Sequence, residues 1–217
     1  MIKKLSGALR DRPVRTTLAV LGPVLLVAGG YGVLRLWFGT PYPDVQPVAV
    51  EAQLRQRSQE AYDVLGLPAT ERAATFEASR TDTGSCYYRG WSYLAHFDRP
   101  RADVVSFSHS WEVPDVPEAQ ARRSLEQLRK QMTDQGWQVT DDRDERHHGK
   151  DGTDLVALGL WLTTPSDGED GEEKDRLAVR WNSSGSVLSV HGYAPCGKVP
   201  DGYDPNTFGQ DTPAPTT

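Results

Sequence analysis

The longest uninterrupted pattern in the chain is an uncharged run from Thr16 to Leu34. Before it stand Lys3, Lys4, Arg10, Arg12 and Arg15, opposed only by Asp11. At about 1.5 Å per residue such a run reaches roughly 28 Å, close to the roughly 30 Å of a bilayer's hydrocarbon core. The basic flank places the amino end in the cytoplasm, and Arg35, Trp37 and Phe38 suit the far interface. Residues 1–15 are thus expected to be a basic cytoplasmic segment and residues 16–38 a single-pass anchor to the lipid bilayer, with the rest of the chain extracytoplasmic. The rival is a cleaved signal peptide, for which Ala28-Gly29-Gly30 offers small residues. The apolar region is long for that, and hydrophobic character continues through Val33, Leu34, Leu36, Trp37 and Phe38, which favours the anchor.

Past the anchor, Pro41, Pro43 and Pro47 read as a stiff spacer. Val50, Leu54, Ala61 and Leu65 then recur at helical spacing, with Gly66 and Pro68 as a stop. This thin stripe fits a stalk or a helix resting on the domain. Residues 69–85 show no period and are read as a connector, so 39–85 is taken as spacer, helix and connector.

Period-two alternation begins at Cys86 and is expected to run to Leu94, with Tyr87, Arg89, Trp91 and Tyr93 on one face. It is clearer from Val104 to Val113, where Val105, Phe107, His109, Trp111 and Val113 oppose Ser106, Ser108, Ser110 and Glu112. Asp115 with Glu118 predicts a capped helix running to about Asp134, with Ala121, Leu125, Leu128 and Met132 buried and Gly136 as terminator. Four further strands are predicted, Trp137–Arg146, Leu155–Thr163, Leu177–Asn182 and Val187–Tyr193, joined by short turns. The second of these is apolar on both faces. The expected fold is α+β in two layers: an antiparallel sheet covered by one main helix, spanning 86–196 and followed by a loose, disordered tail, 197–217.

Cysteine usage sharpens the compartment. Cys86 and Cys196 are the only two, both in the part expected outside the cytoplasm, and predict one disulfide. Charge sharpens the choice of partners. The anchor and its flank take six of the Lys and Arg but one acid, leaving 18 Lys and Arg against 29 Asp and Glu, a net of −11. That balance argues against nucleic acid.

Candidate chemistry is thin. The acidic run Asp167, Glu169, Asp170, Glu172, Glu173 and Asp175 does not align with a calcium-binding loop and reads as a solvated hairpin. Adjacent His147 and His148 point to opposite faces of a strand end and make a poor metal pair. Ser108-His109-Ser110 has the wrong geometry for a triad, and His109 in an apolar row reads as a core histidine. No nucleophile elbow, phosphate loop, dinucleotide fingerprint or zinc-helix motif occurs, and neither cofactor nor catalysis is expected.

The Arg-rich start with its anchor, Cys86 with Tyr193-Ala194-Pro195-Cys196, and the acidic, Arg-over-Lys remainder resemble the small membrane-anchored, single-disulfide envelope proteins of high-GC Gram-positive bacteria. That resemblance implies no catalytic residues. The aromatic content of the predicted strands is the remaining lead, with Tyr87, Trp91 and Tyr93 as the candidate binding face for an envelope protein or glycan. The alternative is a hydrolase with a site around His109, His191 and nearby acids.

Overall fold

The computed structural model describes residues 30–148, 154–165 and 174–209. In chain order they form a helical run over 30–38, α1 (Pro47–Val64), a 3-10 turn (Ala69–Glu71), α2 (Arg72–Glu77), β1 (Arg80–Tyr87), α3 (Ser92–Ala95) and β2 (Pro100–Val113). There follow α4 (Glu118–Asp134), β3 (Gln138–His148), β4 (Asp154–Thr163), β5 (Arg176–Asn182), β6 (Val187–Lys198) and a 3-10 turn (Pro205–Thr207). They divide into two units, a small one made of Met1–Pro41 with Tyr88–Asp98, and a larger one made of Tyr42–Tyr87 with Arg99–Thr217.

The larger unit is an α+β domain. Its six strands are antiparallel throughout, in the order β1-β2-β6-β5-β4-β3. The last four strands make the expected meander. Two helices, not one, cover a single face: α1 lies over β2 and β6, and α4 over β3, β4 and β5. Beneath them sits the core, with Phe107, Trp111, Leu128, Leu158, Leu160, Leu162, Val179, Trp181, Leu188 and Val190 buried.

The helix at 47–64 rests on the domain and is no stalk. Its stripe looks thin because polar Glu51 and Ser58 are buried in it together with Leu54, Ala61 and Tyr62. Ser58 is there to meet His109, whose Nδ1 is 2.7 Å from the Ser58 hydroxyl. A second tie runs from the Ser124 hydroxyl on α4 to the Leu65 carbonyl at the end of α1, at 2.6 Å. At the far edge, Arg122 donates to both carboxylate oxygens of Asp144 at 2.5 and 3.0 Å, and Arg129 pairs with Asp142. Solvent screens such exposed pairs and leaves them little stabilising effect, but they tie α4 to β3 and put charge on an edge strand, where it discourages pairing with another chain.

The disulfide forms between Cys86 on β1 and Cys196 on β6, with Cα atoms 6.1 Å apart. It ties together two strands that flank β2, next to the places where both ladders shift register, Ser85/Tyr87 and Val105/Phe107. Closing a loop of 110 residues is worth on the order of 4–5 kcal/mol in the chain-entropy model.

Several boundaries differ from expectation. The predicted strand 86–94 is instead the end of β1, which occupies 80–87 within the expected connector, followed by a non-strand segment. Gly90 adopts φ +61° and interrupts the extended backbone there. Asp115 does not cap α4. It takes φ +56°, and Pro117 occupies the cap position while the Val116 amide donates to the Ser186 carbonyl. Gly136, at φ +90°, ends α4 as expected, with the Trp137 amide closing back onto the Met132 carbonyl.

The tail is not loose where it is described. β6 continues to Lys198, Val45 bonds to the Lys198 carbonyl, and Val199 and Phe208 are buried against Leu54, Val105 and Phe107. Val199 and Phe208 pack singly from a Pro-rich stretch, so the sequence there carries no period. Residues 210–217, most of the predicted anchor and the acidic run 167–173 lie outside the described residues. Among those described, no helix is long and apolar enough to cross a membrane.

The Phe208 ring packs against Phe107 at a tilt of 50°, with centroids 4.8 Å apart. Phe208→Ala should therefore lower unfolding free energy by about 3 kcal/mol, measured by urea denaturation with the disulfide intact. A loss below about 0.5 kcal/mol would show that the 199–209 segment is not held on the domain.

Candidate binding surface

The helices leave the other face of the sheet uncovered. Cross-strand partners point to the same side, so the register assembles this face row by row. Arg143 on β3, Gly159 on β4 and Arg180 on β5 form one row, and Asp141, Trp161, Ala178, His191 and Ser110 form the next. Thr163, Arg176, Tyr193 and Ser108 form a third.

Gly159 is what gives the surface its shape. The Trp161 ring lies across it, so that a Cβ at position 159 would fall 2.4 Å from the ring. The indole therefore fills the gap between the two arginines of the first row, whose guanidinium carbons stand 4.9 Å (Arg143) and 5.2 Å (Arg180) from its centroid. Cation–π contact of this kind orients the guanidinium planes while leaving donors available. Arg143 is also neutralised by Asp141 at 2.7 Å. Arg180 and Arg176 have no carboxylate partner among the described residues.

Beside this stack is a cleft of about 450 Å³ lined by Ser106, Trp161, Lys174, Arg176, Ala178, Arg180 and Tyr193 with the Ala194-Pro195 step. Ala178 is small and buried and forms its floor. Among the described residues the lining brings three cations and two aromatic rings together with a serine hydroxyl and no carboxylate. In a segment of net charge −11 such a site is a local exception.

His191 sits on the same face, its ring stacked on Tyr193. Burial lowers its pKa, the Arg180 charge lowers it further, and Glu112 opposes them. The ring is therefore neutral at pH 7, and protonation below its ordinary range adds positive charge beside the cleft.

His109 faces the other way. It is 1 % exposed and lies on the helix side of β2, with Nε2 3.1 Å from the Ser79 hydroxyl and its ring stacked on Phe76. Ser79 donates its own proton to the Phe76 carbonyl at 2.7 Å, so it accepts from Nε2–H, and Ser58 donates to Nδ1. That proton order makes His109 a neutral, satisfied core residue. Because His191 pairs with Ser110 and His109 with Gly192, the two histidines lie on opposite faces, and no hydrolytic site converges around them.

The candidate face Tyr87, Trp91 and Tyr93 is not assembled on one strand. Tyr87 ends β1, while Trp91 precedes the one-turn helix α3 and Tyr93 lies within it, in the smaller unit. All three are exposed. His147 contacts Glu145 and His148 contacts Asp154, and no cluster of metal-binding side chains occurs among the described residues. The Arg143–Trp161–Arg180 stack went unread in the sequence because β4 is apolar on both faces. The signal for it was the Gly159-x-Trp161 pair flanked by strands with arginines in register.

No protein-family model matches this chain, and no curated protein or solved structure shows significant similarity to it.

The buried histidine generates a pH dependence. Folding lowers the His109 pKa from 6.5 to about 4, chiefly through burial and secondly through Arg55, against the pull of Glu51. Between those values the unfolded chain binds a proton that the folded chain excludes. The associated stability is complete above pH 6.5 and is lost as the pH falls toward 4, on the order of 3 kcal/mol in total. His191, also lowered, acts in the same direction, so the comparison must be with a variant. Urea midpoints of the natural chain should fall more steeply between pH 7 and 4 than those of His109→Gln, and parallel profiles would refute the assignment.

Proposed function

We propose that this protein is a membrane-anchored, extracytoplasmic binding module of the cell envelope that uses its uncovered sheet face to hold an anionic glycan. The observation that carries the reading is the cleft beside Trp161, lined by Lys174, Arg176 and Arg180 with no carboxylate among the described residues. Phosphate or carboxylate groups on a sugar polymer fit the guanidinium forks, and Trp161, Tyr193 and the serines Ser106, Ser108 and Ser110 offer the mixed apolar and hydroxyl contacts that sugars take.

The anchor and the compartment are supported by the basic, then uncharged, start of the chain and by the disulfide, which suits an oxidising environment. A reporter fused after Gly209 that is active only outside the cytoplasm should be active, and activity of a cytoplasm-only reporter at that position would overturn the topology.

For the ligand, oligogalacturonate is a suitable charged-sugar probe and a neutral chitin oligomer its control. The full chain in detergent should bind the first and not the second, more weakly as salt rises. Arg176→Ala with Arg180→Ala should weaken binding at least about tenfold, the scale expected when charge-assisted hydrogen bonds are lost, while Arg123→Ala on the opposite side leaves it unchanged. Equal binding by the double variant would remove the cleft as the site. Tight binding to polyglutamate with none to the sugar would reassign the partner as an acidic protein.

A further inference from the structure

Most of the large hydrophobic side chains left exposed among the described residues belong to the smaller unit. They come from two stretches, Leu36, Trp37 and Phe38 at the end of the helical run 30–38, and Trp91, Leu94 and Phe97 in the 88–98 segment. Exposures of 47 % at Trp37, 62 % at Trp91 and 75 % at Leu94 are not those of a water-facing core. Large apolar side chains left exposed in two adjoining stretches of backbone mark a contact surface.

The two stretches are joined through backbone. The Trp91 amide donates to the Leu36 carbonyl at 3.0 Å, and the Arg89 guanidinium donates to the Thr40 carbonyl at 3.2 Å. Gly39 and Gly90 meet so closely that a Cβ on Gly90 would lie 2.4 Å from the Gly39 nitrogen and 2.7 Å from the Leu36 carbonyl oxygen. Both glycines have positive φ, +70° and +61°, so the approach and the backbone turn each require glycine. The Trp91 bond also satisfies one of the carbonyls that a helix end leaves open, which matters most where lipid supplies no donor.

We propose that the 88–98 segment is a second membrane contact, with Trp91, Leu94 and Phe97 seated in the interface of the outer leaflet beside the point where the anchor emerges. This rests on the anchor reading given above. Lipid is the occupant because the uncharged run from Thr16 to Leu34 is followed, past Arg35, by Leu36, Trp37 and Phe38, and the 88–98 segment is bonded to Leu36 through the Trp91 amide. The side chains are those favoured at membrane interfaces, aromatic and aliphatic. The chain enters and leaves this segment at Tyr87 and Arg99, one residue from Cys86 on one side and at the start of β2 on the other.

The test uses the full chain carrying Leu94→Cys, or Phe97→Cys as an independent second position, labelled with an environment-sensitive fluorophore. The native cysteines are bonded to each other and do not compete for label. The protein is reconstituted in phosphatidylcholine–phosphatidylglycerol vesicles with and without nitroxide near the top of the acyl chains, and Glu126→Cys on α4 is the water-facing control. The chain should float with the vesicles after an alkaline wash, and the labels at 94 and 97 should emit blue-shifted and lose most of their emission to nitroxide while the label at 126 keeps it. A floating chain whose 94 and 97 labels both behave like 126 overturns the second contact and leaves the anchor standing. A chain that does not float overturns the anchor reading and this proposal with it.

Discussion

A six-stranded antiparallel sheet has two faces, and α1 and α4 both pack on one of them. α1 and α4 lie side by side over the apolar rows of β2, β6, β5 and β4, and the core closes there. The alternation of each strand then delivers every second residue to the other side, where nothing from the described chain covers it. The character of that side is therefore fixed by what the strands put in their outward positions: serines on β2, a histidine and a tyrosine on β6, arginines on β3 and β5, and Gly159 with Trp161 on β4. Burying a large aromatic among charged neighbours requires a gap beside it, and the glycine supplies one. The uncovered face is thus the complement of the helix packing.

On the covered face the controlling detail is polar. His109 occupies a position in the apolar row of β2 that an aliphatic residue would fill without needing partners. Its two nitrogens instead demand one donor and one acceptor, and Ser58 of α1 and Ser79, just before β1, provide them. A network of this kind tolerates no slip of α1 along the sheet, because a shift of one turn would strand three polar groups in the core. Specific placement of α1 follows from it, and the acid sensitivity of the fold is its consequence.

Legibility from sequence tracked how much each element depends on its own pattern. β2, β4, β5 and α4 declare themselves through period two or 3.6, since each buries a full stripe of its own residues. α1 was placed as a helix, but its buried Ser58 and Glu51 diluted the stripe, and its seat on the sheet became visible only with His109 opposite. β1 carries Thr81, Thr83 and Ser85 at an edge, too little apolar alternation to be seen, while the aromatic alternation of Tyr87, Arg89, Trp91 and Tyr93 mimicked a strand that Gly90 prevents. The disulfide was legible from cysteine count and compartment alone. The binding surface was not, because it is made by register between three strands, and register is set by the turns and the core, not by any residue in the surface itself.

The two units differ in the side chains they leave exposed. In the larger unit the outward rows mix charged and hydroxyl side chains with Trp161 and Tyr193, and its other exposed hydrophobics include Val48, Tyr87, Val139 and Leu155. In the smaller unit they are adjacent, aromatic and held in position by backbone hydrogen bonds and by a glycine pair that no other residue could replace. A surface that faced water would gain nothing from that rigidity, since apolar groups avoid water equally well in any collapsed arrangement. Fixing Trp91 against Leu36 is useful when the groups must present one side together, as at a lipid interface where depth and orientation are set by where the aromatic rings come to rest.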